Sequence, residues 1–137
     1  MGDWYILDGK TPVLEPDLFK AAQWFDTADR NVALTDTQIH SVSTVFLGLD
    51  HNHFGRVPIL FETMVFERYG DDDRQDDPQR TEMKGRVSEW LESLDIMRRY
   101  PTWADAEMGH QKTVAEVLRA EMDANNQLMA TIHKLAE

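Results

Sequence analysis

The sequence predicts an α+β domain: a small, mostly antiparallel sheet centred on a β-hairpin at residues 39–67, packed by an N-terminal helix and a long C-terminal helix. Three observations carry this reading. Two apolar, β-branched runs of strand length, IHSVSTVFLGL and VPILFETMVFE, flank the short polar stretch DHNHFGR between Ile39 and Glu67. Leu18, Ala21, Ala22 and Phe25 recur at helical spacing. Trp103, Ala106, His110, Val114, Val117, Leu118, Met122, Asn125, Met129 and Ile132 do the same almost to the C-terminus.

In chain order, Trp4 to Leu7 (WYIL) reads as a short strand and Asp8-Gly9 as a turn. Either a tight hairpin through Pro12 to Leu14 or a simple loop follows. Pro16 suits a first helical turn, and the helix after it runs to about Ala28, with Phe19 and Trp24 widening its apolar face. Asn31 to Thr37 is read as an edge strand. In the central hairpin, setting Leu49 opposite Val57 places Thr44 against Glu62 and Val42 against Met64, on a face shared with Phe46 and Leu60. Both faces are then largely apolar, so cover is expected on both sides. Gly70 to Pro78 (GDDDRQDDP) is a solvated acidic loop, and Thr81 to about Leu94 is a helix with one buried stripe of Met83, Val87, Trp90, Leu91 and Leu94. This stretch splits the elements without making a second domain, so residues 1–137 are read as a single domain. Asp95 to Tyr100 is open between helix end and strand. Thr102 caps the last helix, which at 1.5 Å per residue is a rod of roughly 50 Å unless it breaks near Asn125-Asn126. Its last turns then project or meet a second copy or another protein.

Composition narrows the function classes. The 137 residues, 42% hydrophobic and 28% charged, describe an ordinary soluble domain with no run long enough to cross a membrane. Asp3 interrupts the opening apolar residues, so no secretory signal is expected. With no cysteine, disulfides and thiolate metal sites are excluded. The net charge of -11 argues against direct nucleic-acid binding and leaves open a basic partner or mimicry of a polyanion.

Three groups of residues could carry chemistry. Asp50, His51 and His53 in the central loop are weak metal-ligand candidates, because a His-x-His pair with a carboxylate can hold a transition metal. Such histidines are more often hydrogen-bonded or solvated, and the His-Asn-His letters lack the ββα context of a nuclease. His51, Glu62 and His110 could form an acid/base constellation at the loop end of the sheet. The competing reading is that His110 is a core histidine satisfied by a backbone carbonyl or by Glu62, with Gly109 letting a neighbour approach the helix. Asp71, Asp72, Asp73, Asp76, Asp77 and Glu82 are candidates for docking a basic or nucleic-acid-binding surface of another protein. No phosphate loop, nucleophile elbow, zincin or EF-hand pattern occurs, and no cofactor is implied.

Ser43 to Phe66 (STVFLGLDHNHFGRVPILFETMVF) and Arg99 to His110 (RYPTWADAEMGH), with the Asp8-Gly9 turn before a helix, resemble a family of small proteins encoded by bacteriophages and prophages. The chain departs from that pattern with a single glycine, Gly55, in the central loop and with the segment Gly70 to Leu94, an acidic loop and helix (residues 70–94) that looks like an insertion relative to the family. The resemblance implies a phage origin and the cytoplasm of an infected bacterium, and it singles out Asp50, His51, Glu62, Thr63 and His110. It implies no reaction. The expected function is that of a non-enzymatic accessory protein that binds another protein to inhibit or redirect a host system. A small enzyme using His51, Glu62 and His110, and a virion or assembly component, are the alternatives.

Overall fold

A computed structural model of the chain describes residues 2–52, 55, 57–68 and 97–136. Strands β1 (Tyr5–Asp8) and β2 (Thr11–Leu14) form a hairpin, with Gly9 at φ +62° taking the turn position that a side chain would disfavour. Helix α1 (Leu18–Thr27) starts from an Asp17 cap whose carboxylate accepts from the backbone of Phe19 and Lys20. Pro16 therefore precedes the cap and is not part of the first turn. Strands β3 (Asn31–Asp36), β4 (His40–Phe46), β5 (Phe61–Glu67) and β6 (Met97–Tyr100) make one antiparallel sheet in sequence order, with β3 at one edge. The α+β class and the edge strand agree with the sequence, and of the two readings open after Asp8-Gly9 the hairpin is the one formed. Met97 to Tyr100 is strand, while the acidic loop and the helix expected at 81–94 lie outside the described residues.

The register of the central pair corrects the sequence reading by one residue: Thr44 faces Thr63, Val42 faces Val65 and Phe46 faces Phe61. Strand side chains alternate between faces, so this step moves Glu62 to the opposite face. There it accepts from Arg99 Nε on β6 at 2.9 Å, whereas the expected register would have set its carboxylate among Phe46, Leu60 and Val42. The connection from Leu47 to Leu60 is closed by side chains of its own. Asp50 accepts from Asn52 N–H and Ile59 N–H, and Asn52 bridges Gly55 and Val57.

Helix α2 (Trp103–Leu135) is uninterrupted, without the break at Asn125-Asn126. Thr102 caps it as expected, accepting from Asp105 N–H at 3.1 Å. Its buried stripe is Ala106, His110, Thr113, Val117, Glu121 and Ala124. The apolar spacing had instead placed Leu118, Met122, Asn125, Met129 and Ile132 inside, and all five are exposed. On α1 the same correction applies to Phe19, which is 71% exposed. Burial follows the geometry of the sheet. Seven residues of β4 span about 20 Å, and so does the helix from Ala106 to Glu121. Residues 125–135 overshoot by about 16 Å.

One end of the sheet's inner face is aromatic. Phe46 and Phe61 lie 5.3 Å apart between centroids, with Trp24 and Phe25 of α1 on one side and Trp103 on the other. Gly48, at φ +80°, lets the Phe25 ring reach the backbone, since a Cβ there would stand 1.9 Å from Phe25 Cζ. Gly48→Ala adds a left-handed strain to that overlap and should lower stability by about 2–4 kcal/mol. Chemical denaturation checks this, with Gly9→Ala as a comparison: Gly9 shares the backbone strain but has open space around its Cβ.

Candidate functional site

Toward the His40 end of β4, the interface between helix and sheet turns polar. Two polar clusters, one of threonine, histidine and carboxylate and one of threonines around a histidine, occupy what is ordinarily apolar core. In the first, the Glu121 carboxylate, 3% exposed, lies against the turn from Thr37 to His40. One oxygen accepts from Thr37 Oγ1 at 2.5 Å, Ile39 N–H at 3.2 Å and His40 Nδ1 at 2.9 Å, and the other from Gln38 N–H at 3.1 Å. An ionised carboxylate only accepts, so this contact assigns a proton to His40 Nδ1. His40 is fully buried and its Nε2 has no hydrogen-bond partner among the described residues. Burial pushes the Glu121 pKa up, but hydrogen bonds from His40, Thr37, Ile39 and Gln38 outweigh it and leave it below the ordinary 4.5.

The second cluster is a relay of hydroxyls through His110. Thr35 Oγ1 meets His110 Nε2 at 2.8 Å, and His110 Nδ1 meets Thr44 Oγ1 at 2.8 Å. Thr44 in turn meets Thr63 Oγ1 at 2.5 Å. Burial holds the His110 pKa below 6.5. Beside it, Thr113 accepts from Arg98, which also pairs with Glu116. Gly109 admits the Tyr100 ring, 2.1 Å from where a Cβ would stand, as its position beside His110 suggested.

The polar residues named from the sequence do not converge on one point. His110 is satisfied by two threonines rather than by a backbone carbonyl or Glu62, and Glu62 pairs with Arg99 on the other face of the sheet. His51 gives its backbone N–H to Ile59 O, and Asp50 Oδ1 is engaged by two backbone N–H groups. Among the described residues no group of three His, Asp or Glu side chains could hold a metal ion. His53, Asp71, Asp72, Asp73, Asp76, Asp77 and Glu82 lie outside the described residues. Sequence reasoning passed over Glu121, Thr37 and His40. The available signal was a carboxylate in phase with Ala106, His110 and Val117 on the inner stripe.

Chemically, the first cluster is a carboxylate cap on a strand turn and the second a neutral hydrogen-bond chain; both are closed to solvent at their centres. Comparison with protein-family models, with curated proteins and with solved structures gives no match for this chain. Among the described residues no helix is long and apolar enough to cross a membrane.

Removing the cap leaves buried donors unpaired, so Glu121→Ala should cost about 3–5 kcal/mol in a urea melt, and Glu121→Gln less. Both shifted groups predict acid sensitivity. His110 has its folded pKa below its unfolded one, so the unfolded chain takes up its proton first and stability falls as pH drops below about 6.5. Glu121 contributes stability above about pH 4.5 that is lost as pH falls through its lower folded value. Denaturation midpoints from pH 8 to pH 3 should show two successive losses, the first absent in His110→Gln.

Proposed function

We propose that this chain is a phage-encoded accessory protein that acts in the cytoplasm of an infected bacterium by binding another protein, inhibiting or redirecting a host system. The observation that supports it is the uncovered apolar strip on α2. Leu118, Met122, Met129 and Ile132 recur at spacings of three and four or their sum, so they line one side of the helix. Met122 is 63% and Met129 51% exposed, and the helix carries this strip beyond the sheet. A strip of this kind suits an apolar groove on a partner, read through anchors one turn apart. Methionines favour such surfaces because their side chains adapt to irregular contours.

Charge selects among partners. At -11 the chain is steered toward a basic surface, and Asp71, Asp72, Asp73, Asp76, Asp77 and Glu82 supply a concentrated part of that charge. The resemblance of Ser43 to Phe66 and Arg99 to His110 to the phage family supports the setting. The engagement of Glu62 by Arg99 and of His110 by two threonines weighs against the enzymatic alternative, since these groups already have partners.

Tagged protein expressed in the infected host should retain a stoichiometric partner at low salt. The double change Met122→Glu and Met129→Glu should release it while the melting temperature stays within a few degrees, because both side chains are exposed. Reversing the five aspartates to lysine should slow association and remove its salt dependence. A chain that retains no protein at low salt, or retains the same protein after the methionine changes, refutes this reading.

A further inference from the structure

A second feature lies at the other end of the molecule, away from the polar clusters and the exposed strip. A concavity of about 570 Å³ is lined by Trp4, Leu18, Ala21, Ala22, Phe25, Arg30 and Leu47. Its origin is local. Leu18 and Phe25 stand on one side of α1 with two alanines between them, and the short side chains leave a depression that Trp4 and Leu47 wall in. The walls are held in place. Phe25 is seated on Gly48, Trp4 meets Phe25 edge to face at 5.6 Å, and Trp4 is bridged to Leu49 across the backbone.

The two polar side chains among the lining residues, Trp4 and Arg30, are both donors. Arg30 lies with its guanidinium 4.8 Å from the Phe25 centroid, and among the described residues it makes no ion pair. Its neighbour Asp29 accepts from Asn31 N–H instead. The indole N–H of Trp4 also has no hydrogen-bond partner among the described residues. The volume falls in the range of small-molecule sites, roughly 300–1,000 Å³, and apolar walls with a few polar groups are the usual lining of such sites.

We propose that this concavity binds a small amphipathic carboxylate, its apolar body between Leu18, Phe25 and Leu47 and its carboxylate on Arg30. The charge requirement follows from Arg30, a forked donor matched to a carboxylate. The size requirement follows from Ala21 and Ala22. A net charge of -11 opposes any anion, so binding here depends on this one guanidinium.

Sodium octanoate and 1-octanol, equal in chain length and different in charge, are the probes, titrated into the full chain by calorimetry with tryptophan fluorescence in parallel. Octanoate should bind saturably below about 1 mM and about tenfold more tightly than octanol. Arg30→Gln should bring octanoate down to the octanol level and leave octanol unchanged. Ala22→Leu, which enlarges an exposed lining side chain and narrows the concavity, should lose both; if that variant does not fold, Leu18→Glu at another exposed lining position serves the same purpose. Equal binding of the two probes, undiminished octanoate binding by Arg30→Gln, or no saturable binding of either probe overturns the proposal.

Discussion

The Glu121 carboxylate and the turn from Thr37 to His40 constrain each other, and much of the sheet's arrangement follows from that contact. A tight connection between antiparallel strands exposes backbone N–H groups that need acceptors. Here the acceptor comes from a helix more than eighty residues away in the chain. The contact fixes how far α2 slides along β4. With Glu121 at the His40 end, His110 falls beside Thr44 and Ala106 beside the aromatic cluster at Phe46 and Phe61. A buried carboxylate contact of this sort contributes little net stability compared with apolar packing, but breaking it is costly, so it specifies one alignment over its neighbours.

The inner face of the sheet is therefore divided. At the Phe46 end, large rings from β4, β5, α1 and α2 interlock and supply the apolar burial. At the His40 end, Thr35, Thr37, Thr44 and Thr63 supply hydroxyls; His110 joins Thr35 to Thr44 and Thr63, and Glu121 joins Thr37 to His40. Hydroxyls on β-branched side chains suit this role, since threonine keeps strand geometry while offering both a donor and acceptors. The aromatic half provides the driving force, and the polar half provides direction.

The same alignment determines what stays uncovered. Strand and helix lengths match only over Ala106 to Glu121, so a helix of 33 residues must extend past a seven-residue strand. Apolar residues on the overhang and on the flank of α2 are a consequence of this mismatch, and they supply the surface on which the proposed partner binding rests.

Much of the fold was legible in the residues themselves. Alternation and β-branching announced β4 and β5, Asp8-Gly9 announced the first turn, and Thr102 announced the start of α2, because these are short-range preferences that the local chain satisfies alone. Register, inner stripe and site were not legible, for a shared reason. A strand shifted by one residue keeps the same pattern on paper, and only Arg99 on β6 decides which face Glu62 takes. Apolar spacing likewise favours Leu118 and Met122 over Glu121, and only the donors of a distant turn make burial of a carboxylate favourable. The sequence by itself determined most of the described elements and their order. Tertiary structure decided which faces meet, since the energy of a buried polar group depends on partners that local sequence does not specify.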